Sequence, residues 1–471
     1  MRRVLLACAA ILLVALRASA AGPDARKDFQ QTIDEVLRGH FEMAPAQTLS
    51  EALRLDYGAY TTFAYLSEDD LTGTARGFSQ IDSKFWLQAQ KGGHTFYGRM
   101  RLNYENYDAG DAFTASGDGF IEPLFDRYWY RFDWRSEERV ETGADPSWDW
   151  WVQVGRQYVN WGSGMTLSDA LYAVRAGAEA RSFSADILLG LTPEHTTDFD
   201  GSRPSFDSNT KRSFWGISTE CRALRNHRPF LYFLGQEDNN AQPFGPLGPL
   251  FKYDSRYVGA GATGEIVTGT WLYRLELIYE FGHSVSDAFV APQTSEHIEA
   301  YALRFYLAYL PPRARERIGL RIETEFLMGS GDPDRGTGTQ TAGGNLSGTK
   351  DESFIAFGYV NTGLALAPEI SNLVSFRITG SAFPLRGHGI FDRMQVSLSG
   401  FVFAKYDSDA PISVPTVAGK GFIGGEIDLA LDWKFTSDLD LIAQYGVFLP
   451  GDAMIDSSAL QFFYVGFSYG F

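Results

Sequence analysis

The chain has 471 residues, 15% of them aromatic, with 49 glycines and a formal charge of −17. That acidity excludes nucleic acid as a partner, because a phosphate backbone is met by clustered Lys and Arg. Cys8 and Cys221 are the two cysteines, and the first falls in a leader-like segment, so neither an intrachain disulfide nor a cysteine zinc site is expected.

Residues 1–20, MRRVLLACAAILLVALRASA, place Arg2 and Arg3 before an apolar run from Val4 to Leu16 and end in Ala18, Ser19 and Ala20. A positive start, a short apolar stretch and small closing residues predict a secretory signal. Removing Arg2, Arg3 and Arg17 from the 41 basic residues leaves 38 against 58 acidic ones, a mature charge of −20. No later run is long and apolar enough for a membrane helix, so only strands could carry this chain across a bilayer.

Residues 21–56 form the next unit, a periplasmic helical segment. Phe29, Ile33, Val36 and Leu37 recur on one helical face. Thr48 and Glu51 stand at capping-box spacing before a second short helix near Ala52–Leu55. The segment reads as a solvated tether, a plug, or a docking element for a periplasmic partner.

From residue 57 to 471 the apolar period is two. TFYGRMRLNY sets Phe96, Met100 and Leu102 against Arg99, Arg101 and Asn103. DRYWYRFDW sets Tyr128, Tyr130 and Phe132 against Arg127, Arg131 and Asp133. WLYRLELIYEF and RIGLRIETEF repeat the pattern, with Arg274, Glu276, Arg321 and Glu323 on the polar face. The terminal QFFYVGFSYGF alternates Phe463, Val465, Phe467, Tyr469 and Phe471 with Tyr464, Gly466, Ser468 and Gly470. Strands that turn one face to lipid and the other to a lumen alternate in this way.

Short turns at 91–94, 178–181, 225–228, 267–269 and 436–438 alternate with long polar loops, of which 329–370 is the longest. Placing SFIAFGYVNTG inside that loop gives 18 strands and puts every long loop on one side. The expected fold is all-β: a transmembrane antiparallel barrel of about 18 strands, monomeric, with its outer face in the lipid of a bacterial outer membrane. The 329–370 loop is expected to fold inward, since Phe354, Ile355, Phe357 and Tyr359 would otherwise be exposed.

Charges on the inward face are the candidate pore lining. Lys84, Arg99, Arg101, Arg127 and Arg131 fall on early strands; Arg274, Glu276, Arg304, Arg321, Glu323 and Arg377 fall on later ones. Opposed patches would set up a transverse field that orients charged solutes, and a solvated lining is the plainer reading. Trp86, Trp129 and Trp151 offer faces on which sugars stack or equally belong to the membrane interface, and the clusters RYWYRFDW at 127–134 and WDWW at 148–151 read first as interface girdles. None of the seven histidines lies mid-strand, and no G-x-S-x-G occurs, so no enzyme and no cofactor are expected. GSGDPDRGTGTQ at 329–340 lacks the ligand spacing of a calcium loop.

Four stretches carry a resemblance. They are VGRQYVNWGSG at 154–164 with DALYAVRAGAEARSFSADILLG at 169–190; VGAGATGEIVTGTWLYRLELIYEFG at 258–282; IEAYALRFYLAYL at 298–310; and FLMGSGDPD at 326–334 with DESFIAFGYVNTG after it. In this order and spacing the chain resembles the alginate export family. The resemblance implies an 18-stranded barrel with an arginine-rich lumen that passes an anionic polysaccharide, with Arg156 and Arg175 among its arginines. The chain departs from a purely basic funnel in Glu276, Glu280, Glu323, Glu325, Glu426, Asp428 and Asp432. The expected function is an outer-membrane channel for a polar or anionic solute, a poly- or oligosaccharide included. A general diffusion porin is the alternative, followed by an outer-membrane enzyme or an adhesive barrel.

Overall fold

The computed structural model describes residues 23–42, 52–69, 71, 74–111, 117–203, 209–242 and 250–471. The expected signal at 1–20 and the capping pair Thr48 and Glu51 lie outside the described residues.

The first half of the sheet comprises β1 (Arg54–Asp69), β2 (Ala75–Lys91), β3 (His94–Tyr107), β4 (Gly119–Asp133), β5 (Trp148–Trp161), β6 (Leu167–Ala180), β7 (Phe183–Leu191), β8 (Arg212–Cys221) and β9 (His227–Asp238). The second half comprises β10 (Tyr253–Val267), β11 (Trp271–Val285), β12 (Ser295–Tyr309), β13 (Arg321–Gly329), β14 (Leu373–Ala382), β15 (Met394–Lys405), β16 (Phe422–Lys434), β17 (Leu439–Pro450) and β18 (Leu460–Gly470). Each strand pairs antiparallel with its neighbours in sequence, and β18 returns to β1, so the 18-stranded sheet is closed. Residues 353–362 form no strand, in keeping with the expected count.

Alternation explains the closure. Phe463, Phe467 and Tyr469 on β18 are exposed outward, while Phe462, Tyr464 and Ser468 are buried inward. Ala59 and Phe471 exchange both backbone hydrogen bonds, at 2.9 and 3.1 Å, so the last residue completes the ring. In lipid no water can satisfy an open edge, and closure removes that penalty.

Among the described residues, three α-helices accompany the barrel: α1 (Pro23–Phe41), α2 (Trp134–Thr142) and α3 (Pro312–Ile318). The helix expected near Ala52–Leu55 does not form, because Arg54 already pairs with Gln90 in β1. α2 and α3 sit in the periplasmic turns β4–β5 and β12–β13, and neither was expected. Asp133 caps α2 by accepting from the Ser136 N–H at 3.0 Å, and Pro312 opens α3.

Of the three readings of the 21–56 segment, the described part, α1, takes the position of a plug, inside the barrel. Phe29 packs on Phe462 and Tyr464, with ring centroids 5.1 Å apart in both cases, and Phe41 stacks on Tyr60 at 5.4 Å. All three partners point into the barrel. The apolar stripe of Phe29, Ile33 and Leu37 is buried there, each side chain contributing about 1.5–3 kcal/mol when taken from a water-filled lumen. Gly470 is required for this seat, since a Cβ there would lie 2.3 Å from the Phe41 ring.

Candidate functional site

The basic face of β2–β4 is real and inward-facing, and α1 covers it. Lys84 and Arg99 alternate with the outward Phe85 and Phe96, which fixes their direction. Asp34 of α1 meets Lys84 Nζ at 2.5 Å, Arg99 Nη2 at 2.8 Å and Arg127 Nη2 at 3.3 Å. Glu35 adds an ion pair to Arg127. Glu42 accepts from Arg99 at 3.1 Å and from the Tyr97 hydroxyl at 2.5 Å. Arg101 turns instead to Asp82, at 2.9 Å. Trp86 and Trp129 belong to the same α1-covered wall.

Two further elements enter from the external side. The 330–372 connection folds inward as expected: Phe354 and Leu366 are fully buried, and Ile355 nearly so. Its backbone is gripped by two wall carboxylates. Glu280 on β11 accepts from the Ile355 N–H at 3.0 Å and from the Tyr253 hydroxyl at 2.6 Å. Glu426 on β16 accepts from three consecutive N–H groups, those of Leu364, Ala365 and Leu366, at 2.5, 2.7 and 3.0 Å. The second element is the WGSG turn between β5 and β6. The Ser163 N–H approaches Glu276 at 3.3 Å, and Tyr232 donates to the same carboxylate at 2.8 Å. Arg304 donates to the Ser163 carbonyl at 3.0 Å and to Glu325 at 2.6 Å, and Arg377 reaches Glu325 at 2.6 Å from the other side.

Three of the acids that set this lumen apart from a basic funnel, Glu276, Glu280 and Glu426, therefore serve as anchors for structure inside the barrel. Each of the three is matched by N–H or O–H donors, and Glu325 by two wall guanidinium groups, as buried carboxylates must be.

What stays open lies toward the periplasm, on the wall away from α1. A cavity of about 280 Å³ below the WGSG turn is lined by Ser163, Asp186, Glu220, Phe230, Thr263 and Arg274. Among the described residues, Arg274 has no hydrogen-bond or ion-pair partner. Arg131 and Arg175 lie over the Trp151 ring, at 4.2 and 5.5 Å from its centroid, and Arg175 also meets Asp186 at 3.1 Å. Arg321 and Glu323 pair at 2.5 Å beside Tyr306, near the periplasmic end of β13.

One candidate is displaced. Arg156 pairs in register with Tyr128 and Tyr172, which are exposed on the outer face, and its guanidinium lies 5.9 Å from the Tyr172 ring. It does not line the pore. Parity within VQVGRQY carries this signal, because Val152, Val154 and Arg156 share a face. Asp34, Glu35 and Glu42 are the functional side chains that reading the sequence missed. Their place beside the apolar stripe of α1 was visible, but the wall they meet was not.

Residues 140–464, well over half of the chain, match the alginate export family. The chain belongs to that family. It is an outer-membrane channel through which solute passes, and its outer face contacts the lipid bilayer.

The family member shares its fold with porins of Pseudomonas aeruginosa. OccK8 (OprE) is similar with a TM-score of 0.52 at 11% identity, over 88% of this chain and 98% of the other. OccD3 (OpdP) is similar with a TM-score of 0.52 at 12% identity, over 91% and 93%. OccK11 (OpdR) gives 0.52 at 10%, over 91% and 99%. At these identities the likeness concerns the fold alone. No curated protein matches the chain in sequence.

Proposed function

We propose that this alginate-export-family channel passes a carboxylate-bearing solute, an acidic poly- or oligosaccharide, without catalysis and as a monomer. The observation that carries the reading is the fate of the lumen charges. Glu276, Glu280 and Glu426 are engaged by inward elements and Glu325 by the wall arginines Arg304 and Arg377, whereas Arg274 faces the open cavity without a hydrogen-bond or ion-pair partner and Arg131 and Arg175 flank Trp151 beside it. Guanidinium groups grip carboxylates in two-pronged fashion, and confinement in a pore weakens the screening that would blunt them in bulk water. The test is the reversal potential across a planar bilayer under a salt gradient. Wild type should prefer anions, and a variant with Arg131, Arg175 and Arg274 each changed to Gln should shift toward cations. A wild type that prefers cations, with the variant unchanged, would leave a general diffusion porin as the function.

A further inference from the structure

Arg99 and Arg127 stand directly opposite each other on β3 and β4, and Lys84 stands opposite Arg101 on β2 and β3. Like charges at directly paired positions repel, and the wall's own acids offset only part of this: Asp126 meets Arg99 at 2.5 Å and Asp82 meets Lys84 and Arg101 at 2.9 Å, so four cations face two wall carboxylates and the facet still attracts a further anion. In this structure the anions are the chain's own. Asp34 presents its two oxygens to the Arg99 fork, with Nη1 at 3.4 Å and Nη2 at 2.8 Å, and shares them with Lys84 and Arg127. Glu35 and Glu42 extend the row along α1 toward the periplasmic rim. A row of carboxylates on a narrow rod is also what an acidic polysaccharide presents.

We propose that α1 is an intramolecular pseudo-ligand: its Asp34 and Glu35, with Glu42 just past its end, occupy the Lys84–Arg99–Arg127 facet in place of the solute's carboxylates, and passage along that wall requires α1 to leave it. This rests on the reading of the solute as carboxylate-bearing. α1 can play this part because it is no strand of the barrel. It precedes β1 and is held by side chains, namely the ion pairs and the stripe of Phe29, Ile33 and Leu37. Its 19 residues span about 28 Å, close to the ~30 Å of the hydrocarbon core, so a seated helix obstructs the wall through most of the membrane. A polymer with many carboxylates competes for the same cations with the advantage of multivalency.

The experiment uses the full chain refolded in planar bilayers, with a galacturonate oligomer as probe and a neutral maltooligosaccharide as control. Three measurements are made: single-channel conductance of wild type with each oligomer, conductance of the Asp34→Asn/Glu35→Gln/Glu42→Gln variant, and the rate of limited proteolysis within residues 23–42. The proposal expects the galacturonate oligomer, and not the neutral one, to raise wild-type open time and α1 cleavage several-fold. The variant should conduct at the raised level without any oligomer. Heat-modifiable migration of the variant confirms that its barrel has formed, and the proteolysis on wild type stands even where the variant does not fold. If the oligomer changes neither cleavage nor open time, α1 is a fixed brace and the proposal is overturned. That failure is distinct from failure of the anion-selective reading, which shows only as unchanged ion selectivity in the Arg131, Arg175 and Arg274 variant.

Discussion

At the scale of the residue, single positions decide how far an inward element can enter the lumen. Gly162 has φ of 63°, and a Cβ there would lie 2.4 Å from Glu276 Oε1 and 2.6 Å from the Tyr232 ring. Gly162→Ala combines left-handed strain of about 1 kcal/mol with a clash that must expel either the Glu276 carboxylate or the turn. The expected result is a wider pore with a lower unfolding temperature: higher conductance, and heat-modifiability lost several degrees earlier than in wild type. Unchanged conductance would mean that the WGSG turn does not narrow the path. Much at this scale could be read from the chain. Lys84, Arg99 and Arg127 were assigned inward by alternation alone, and the same rule, applied to VQVGRQY, places Arg156 outside. What alternation cannot give is the partner across the lumen, which is why Glu280 and Glu426 read as pore charges and proved to be anchors.

Among the elements, the 330–372 connection is the one whose docking should respond to pH. Burial pushes the Asp332 carboxyl up to about 6; the Asp351 charge adds to this, and the N–H groups of Asp334 and Glu352 oppose it. An Asp in an undocked loop titrates near ~3.9, so the docked loop holds a proton that the free loop releases. Docking is therefore strongest at low pH, weakens as pH rises through about 6, and levels off above it. Hydrogen exchange of this loop, corrected for intrinsic rates, should show greater protection at about pH 5 than at about pH 7.5, by about tenfold in all, nearly the whole of it lost below about pH 6.5. Asp332→Asn should flatten the dependence; a variant that keeps it would assign the effect to another group. The inward fold of this loop was legible from its apolar run at Phe354, Ile355 and Phe357. The helices α2 and α3 were not read, although Asp133 with Ser136, and Pro312 with Gly319, are ordinary helix start and stop signals. The surrounding period-two pattern masked them, because each is less than three turns long.

For the whole molecule, closure is the property on which the rest depends. Phe471 contributes two backbone hydrogen bonds to Ala59, each worth about 1 kcal/mol, and an exposed ring on the lipid side. Deleting Phe471 should cut the yield of assembled barrel in outer membranes sharply, while channels that do form keep wild-type conductance and selectivity. A normal yield would show that the terminal residue is dispensable for insertion. The chain by itself determined the barrel, its 18 strands, its inside and outside and the side bearing the long loops. Those follow from local alternation and turn length, which each strand carries without reference to any other. Only the tertiary structure decided what fills the barrel: α1 on the basic facet, the long loop on Glu280 and Glu426, and the WGSG turn on Glu276 and Arg304. Those contacts join residues from distant parts of the chain, and their strength comes from pairing charges and donors that no local pattern brings together.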